Sequence, residues 1–129
     1  MKTIVSLEEL NLPHKLFIFL SKYLNNIANI DTIEKVILFG SCAKGNAHND
    51  SDIDLMIIGD NITENDEDGI FVDCIPFVPQ SEYVETDIFT STNEKYNRHK
   101  AQVGFIQPNI ERDGIDISQC VKRRKDVVK

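Results

Sequence analysis

The sequence predicts an α/β protein, because one helical pattern and two strand-like patterns follow each other in its first half. Apolar residues recur at helical spacing, at Leu16, Leu20, Leu24 and Ile27. Residues 33–39 and 52–58 are short apolar runs of the kind that form buried strands. A chain of 129 residues is long enough for one such core but not for two, so we expect a single domain over residues 1–129.

The segment ahead of the first strand is predicted to be helical. Ser6 and Glu9 have capping-box spacing before Leu10, which predicts a short first helical turn. Pro13 follows and is tolerated in the first turn of the main helix. We expect the leucine stripe of that helix to pack into the core.

Three strands are predicted in the middle of the chain. The first covers residues 33–39 and ends at Gly40, and the second covers residues 52–58. The polar residues 40–51 between them form a turn region with room for one short helix. We assign the third strand to residues 70–77, because the acidic stretch before it, GDNITENDEDG, has the composition of a solvated hairpin connection.

The last third of the chain has weaker signals. Residues 81–91 are assigned a short helix, and the segment NEKYNRHK is assigned to a solvated surface. A further helix over residues 104–113 is stopped by Gly114 and followed by a small strand at residues 115–117. The tail VKRRKDVVK is basic, so Lys122–Lys125 offers a contact for an acidic partner, although a solvated end is the simpler interpretation.

Composition limits the cellular setting and the partners. The formal net charge of −7 argues against duplex nucleic acid, because broad phosphate binding needs a basic surface. No apolar run approaches the roughly 20 residues that span a bilayer, so we expect no membrane segment. Three widely spaced cysteines indicate free thiols in a reducing cytoplasm.

The start of the second strand carries the first sign of chemistry. Asp52 and Asp54 alternate with apolar residues, so a strand would point both carboxylates to the same face. Like charges so close resist ionisation unless they are neutralised, and no basic residue of the strand does so. A divalent cation bound by hard oxygen ligands is therefore expected at this pair.

Two neighbouring segments extend this prediction. Gly40 and Ser41 directly follow the first strand, where a glycine lets the backbone approach a ligand and a serine can bind phosphate oxygens. In the predicted third strand, Asp73 shares a face with apolar residues, where a carboxylate is costly unless paired or metal-bound. Three carboxylates on neighbouring strands could hold two ions about 3.5–4 Å apart, as in-line phosphoryl chemistry uses.

Rival motifs do not fit the same residues. An EF-hand starting at Asp50 would have Leu55 at the required glycine and Asn61 at the required glutamate. A Walker loop needs Gly-Lys-Ser/Thr, whereas GSCAKG ends in Lys-Gly. Cys42 has no nearby histidine in sequence and is interpreted as a small loop residue rather than a nucleophile.

The stretch FGSCAKGNAHNDSDIDLMII resembles the signature of the DNA polymerase β-like nucleotidyltransferase superfamily, and more narrowly that of minimal nucleotidyltransferase domains of bacteria and archaea. Their pattern is Gly-Ser, ten residues, Asp-x-Asp, and it matches Gly40, Ser41, Asp52 and Asp54. The third carboxylate of the family maps to Asp73 in FVDCIPF. The resemblance is strong over residues 33–78, the core motif region, and weak near Gly114.

The resemblance implies a mixed twisted β-sheet flanked by helices, with Mg²⁺ or Mn²⁺ on Asp52, Asp54 and Asp73. It implies a nucleoside triphosphate, ATP in our interpretation, held at Gly40, Ser41 and Lys44, and transfer of its nucleotidyl group to a hydroxyl acceptor. The sequence departs from the family at Cys42, where relatives often carry a second basic residue beside the one that matches Lys44.

Two alternative functions stay open from the sequence. Minimal domains of this family are frequently antitoxins paired with a small helical toxin of the HEPN type, which some of them modify with AMP. Others modify small molecules such as antibiotics, usually with an added helical domain for which about 50 residues after Phe77 leave little room. We expect the missing wall of the active site to come from a partner protein or a second copy on the face that bears Asp73.

Overall fold

The structure, a computed structural model, describes residues 1–121 and builds them around a mixed five-stranded sheet. The strands are β1 (Lys2–Thr3), β2 (Lys35–Phe39), β3 (Ile53–Ile58), β4 (Thr86–Ser91) and β5 (Ile115–Asp116). Their spatial order is β1-β5-β2-β3-β4. β2 is antiparallel to β3 and β5, whereas β3 is parallel to β4 and β1 is parallel to β5. The predicted sheet-and-helix fold class is therefore confirmed.

In the described part of the chain five α-helices flank this sheet: α1 (His14–Ile27), α2 (Ser41–Lys44), α3 (Glu64–Asp68), α4 (Asn93–His99) and α5 (Gln107–Asp113). The predicted leucine stripe of α1 is buried, which confirms its place in the core. The predicted capping box is also present, where Ser6 and Glu9 cap a 3₁₀ turn at Leu7–Glu9. Within residues 1–121 no helix is both long enough and apolar enough to cross a membrane.

The two faces of the sheet pack against different helices. Leu55 and Ile57 of β3 point to the face covered by α1 and belong to the larger core cluster. Met56 and Ile58 point to the other face and pack with Tyr96 of α4 and with α5. Because side chains alternate along a strand, Asp54 lies on the same face as Met56. The face of Asp54 is thus the one that α5 covers.

The third predicted strand, residues 70–77, is wrong. Gly69–Asp73 is a π-helix that continues directly from α3, and its Ile70 is buried on the α1 side of the sheet. The Tyr23 hydroxyl donates a hydrogen bond of 2.8 Å to the Ile70 carbonyl and so ties this segment to α1. Because β3 and β4 are parallel, the chain between them must cross over rather than turn back as a hairpin.

The strand that follows β3 is instead β4, in residues assigned a short helix from the sequence. The segment NEKYNRHK is likewise not simply solvated, since it forms α4 and buries Tyr96. The predicted helix before Gly114 and the small strand after it are present as α5 and β5. The basic segment Lys122–Lys125 lies outside the described residues.

Candidate active site

Asp54 and Asp87 are direct neighbours across two parallel strands. The register of β3 and β4 pairs Asp54 with Asp87, and the antiparallel register on the other side pairs Asp54 with Phe39. The carboxyl groups of Asp54 and Asp87 are close enough to share a hydrogen bond when one of them is protonated. Asp52 lies just ahead of β3, is exposed, and is close enough for its charge to act on Asp54. The structure therefore brings together three carboxylates at one end of the central strands.

This arrangement changes the acidity of Asp54. Partial burial raises the pKa of Asp54 to about 6, and the hydrogen bond and charge of Asp87 and the charge of Asp52 act in the same direction. The cause is that each of these effects disfavours the ionised form of the carboxylate. A divalent cation bound at this pair would act in the opposite direction, because it favours the ionised form of both carboxylates.

The Gly40–Ser41 turn lies against this carboxylate cluster. Gly40 lies between β2 and α2 with a φ of 73° and a ψ of −154°, a conformation that other residues hardly adopt. A Cβ atom at this position would also overlap the carboxylate of Asp54. Glycine is therefore required here for two separate reasons, and its lack of a side chain is what lets the turn approach Asp54.

Lys44, at the end of α2, is the cation nearest to this turn in sequence. Its Nζ lies 4.0 Å from the Asp113 carboxylate at the end of α5, and about half of its side chain is exposed. An ion pair of this length between partly exposed groups contributes little to stability. Lys44 can therefore exchange Asp113 for an anionic ligand at low cost.

A cavity of about 310 Å³ opens between the ends of these strands and α5. It is bounded by residues of β2, β3, β4, α2 and α5 and by two flanking positions: Phe39, Gly40, Lys44, Asp54, Asp87, Phe89, Ile106, Asn109 and Asp113. The cavity combines acidic, basic and apolar walls. Three of the residues predicted from the sequence as site residues, Gly40, Lys44 and Asp54, line it.

Cys42 is a structural part of this site. It is buried, and its thiol donates a hydrogen bond of 3.4 Å to the carbonyl of Asp52. Burial raises the pKa of this thiol to about 11, with a further contribution from the charge of Asp54. A thiol that stays protonated is a poor nucleophile. Its hydrogen bond instead holds α2 beside the approach to β3.

Asp73 does not join the carboxylates, contrary to the expectation from its surroundings in sequence. It is exposed and ends the π-helix whose Ile70 packs on the α1 side of the sheet, whereas Asp54 and Asp87 face α5. The residue missed was Asp87. The signal that could have found it is the alternation in ETDIFTS, where threonine and isoleucine on one face alternate with Asp87 and Phe89 on the other.

The donor set of the site suits a hard divalent cation only in part. Among the described residues, no group of three or more His, Cys, Asp or Glu side chains is placed to hold a metal ion by itself. Asp54 and Asp87 nevertheless offer adjacent carboxylate oxygens. Mg²⁺ is commonly bound by one or two carboxylates together with substrate phosphates and water. The site fits such an ion if a phosphate ligand completes its coordination.

Comparisons with known proteins found a family model and a solved structure that are similar to this chain. Residues 20–117 match the family model described as "Polymerase beta, Nucleotidyltransferase". A similar solved structure is that of "a putative nucleotidyltransferase" from Sulfolobus solfataricus, which is 21% identical, with a TM-score of 0.45, over 62% of this chain and 69% of the other. No curated protein is significantly similar to the chain.

The matched residues include β2, β3 and β4, the Gly40–Ser41 turn and the neighbouring carboxylates. Members of this family typically act on nucleotides with a divalent metal ion. Because the match spans well over half of its length, the chain belongs to the polymerase β nucleotidyltransferase family and is a nucleotidyltransferase.

Proposed function

We propose that the protein transfers a nucleoside monophosphate, AMP from ATP, to a hydroxyl group of an acceptor with the help of Mg²⁺ or Mn²⁺. The observation that carries this proposal is the adjacent pair of Asp54 and Asp87 on neighbouring strands, with the Gly40 turn packed against Asp54. In this proposal Asp87 takes the role that the sequence had suggested for Asp73. The correction follows from the pairing of β3 with β4.

The carboxylates bind the cation, and the turn binds the phosphates. Asp54 and Asp87 supply the ligand oxygens, and Asp52 adds negative charge at the exposed edge of the pair. The Ser41 hydroxyl orients the β- and γ-phosphates beside Gly40. Lys44 leaves Asp113 to neutralise the same phosphates, since their ion pair is long and partly exposed.

The cation, when bound, supplies a Lewis acid that polarises the α-phosphate and neutralises the leaving group. The acceptor oxygen forms a bond to the α-phosphorus, and the bond from that phosphorus to the bridging oxygen breaks. Pyrophosphate leaves with the electron pair of the broken bond. Asp87, the more exposed carboxylate of the pair, accepts the proton of the acceptor hydroxyl. No covalent intermediate with the protein is needed.

The proposal is tested with ATP labelled in either the α- or the γ-phosphate, incubated with Mg²⁺, the protein and a lysate of its source cell. The α-label is expected to enter an acceptor and the γ-label to appear in pyrophosphate. Chelation of Mg²⁺ and the Asp54→Asn variant should each abolish the transfer, whereas Asp60→Asn, a change at an exposed carboxylate beyond the far end of β3, should not. Transfer of the γ-label, or equal transfer by Asp54→Asn, would overturn the proposal.

A further inference from the structure

We infer that the ring of Phe89 is a stacking platform for the base of the nucleoside triphosphate, with the start of α5 as the opposite wall. This inference rests on the proposed function and adds the part of the substrate that the carboxylates and the Gly40–Ser41 turn do not contact. It concerns the apolar half of the same cavity.

Phe89 lies next to the carboxylates on the same face of β4. Asp87 and Phe89 are two positions apart in the strand, so their side chains point the same way, roughly 7 Å apart along the chain. That separation leaves room for one ribose between an α-phosphate held at Asp87 and a ring held at Phe89. Register also sets Phe89 beside Met56 of β3, which forms the buried floor.

The ring of Phe89 is supported from one side and open on another. Its centroid lies 6.1 Å from that of Phe39, with the two planes tilted by 39°. Phe39 is almost fully buried, whereas Phe89 is 41% exposed. Phe39 therefore supports one side of the Phe89 ring, and the exposed part of that ring faces solvent or a ligand.

The segment that begins α5 supplies the other wall of the cavity. Ile106 and Asn109 line it together with Phe89, and Ile106 also packs against the core on this face of the sheet. A flat ring between Phe89 and Ile106 would be in contact with apolar groups on both faces. The Asn109 amide, which both donates and accepts hydrogen bonds, lines the same cavity and would serve the polar edge of that ring.

The shared cavity is the reason to assign the ring of Phe89 a ligand. An exposed phenylalanine by itself is ordinary on a protein surface. Phe89, however, lines the same 310 Å³ cavity as Asp54, Asp87 and Lys44, so a triphosphate bound at those residues would bring its base into this space. The face of an aromatic side chain can stack on any nucleobase, because every base has a flat π-face. Phe89 would therefore stack on a base without discriminating one base from another.

The experiment compares two ligands that share their phosphates, namely α,β-methylene-ATP and inorganic tripolyphosphate, each titrated by calorimetry in the presence of Mg²⁺. The wild-type protein is expected to bind the nucleotide more tightly than tripolyphosphate. Phe89→Leu should weaken binding of the nucleotide about tenfold and leave binding of tripolyphosphate unchanged, because only the stacked ring is lost. Phe89→Tyr, which keeps the ring, should bind both ligands like the wild type.

Phe77→Leu is the matched control, since Phe77 is another exposed phenylalanine and lies in the connection between β3 and β4. An unchanged nucleotide affinity in a folded Phe89→Leu protein would overturn the inference. So would an equal loss for both ligands. If neither ligand binds the wild-type protein, the proposed function itself fails. Binding of tripolyphosphate with no added gain from the nucleoside would reject the platform alone.

Discussion

Asp73 in FVDCI and Asp87 in ETDIF have similar surroundings in sequence, an acidic residue among β-branched and aromatic ones, but the fold gives them opposite environments. Asp87 stands beside Asp54 on a strand, in a cavity with Lys44. Asp73 ends a π-helix that packs on the other side of the sheet. The chemical role of a carboxylate in this fold therefore depends on the strand beside it rather than on its local sequence.

The largest effect expected from this comparison is on turnover. Asp87→Asn should reduce transfer of the labelled nucleotide by about 100-fold or more, because it removes a ligand oxygen and the proton acceptor together. Asp73→Asn should leave transfer nearly unchanged. The rate of α-label transfer at saturating ATP measures both variants. A strong loss with Asp73→Asn in a normally folded protein would reverse the assignment of the third carboxylate.

Substitution of Gly40, in the turn that faces the carboxylates, should have the next largest effect on activity. Gly40→Ala should lower activity by more than tenfold and also destabilise the fold, because the new Cβ overlaps Asp54 and the backbone conformation costs about 1–3 kcal/mol. Gly45→Ala is the control: Gly45 also has a positive φ, of 82°, but a Cβ there meets nothing within 4 Å.

Thermal unfolding and ATP binding, measured for both glycine variants, separate the two causes. Gly45→Ala should lose about 1 kcal/mol of stability and keep its nucleotide affinity. Equal effects of the two substitutions on nucleotide affinity would mean that close approach of the turn to Asp54 is unimportant.

Substitutions at two neighbouring residues of α2 should have smaller effects, and these effects should be on the affinity for phosphate. Ser41→Ala is expected to weaken binding of tripolyphosphate about tenfold, the range for a hydrogen bond to a charged group. Cys42→Ser should change that affinity by less than about twofold, because a serine hydroxyl can donate the same hydrogen bond to the Asp52 carbonyl. Calorimetric titration checks both variants. A stable but inactive Cys42→Ser protein would support the rejected interpretation of Cys42 as a nucleophile.

The smallest expected effect is on stability as a function of pH. The pKa of Asp54 is raised to about 6 in the folded protein from an ordinary value of 3.8, so its contribution to stability is complete below pH 4 and is lost as the pH rises through 6. Without metal, Asp54→Asn should therefore melt a few degrees higher than the wild type at pH 7.5 and show little gain at pH 4.

Addition of Mg²⁺ tests whether Asp54 is a metal ligand. With a phosphate ligand present, it should raise the melting temperature of the wild type at pH 7.5 and have no such effect on Asp54→Asn. Scanning calorimetry at the two pH values, with and without Mg²⁺ and tripolyphosphate, makes the measurement. A melting temperature of the metal-free wild type that rises from pH 4 to 7.5 relative to Asp54→Asn would contradict the raised pKa.

Much of the fold was predictable because its signals are local. The stripe of α1, the apolar runs of β2 and β3, the turn at Gly40 and the break at Gly114 are each encoded by spacing within a few residues. The pair of Asp52 and Asp54 was visible for the same reason.

The sequence by itself thus determined the helix, the two central strands and the Gly-Ser and Asp-x-Asp parts of the site. Only the tertiary structure decided which later segment pairs with β3. A hairpin and a parallel crossover can begin with the same acidic stretch, and the choice depends on whether residues 69–73 bury Ile70 against α1 or extend along β3. This packing depends on contacts between residues that are far apart in sequence. It turns Asp73 away from the site and puts Asp87 beside Asp54, because pairing between strands, not sequence distance, sets which carboxylates meet.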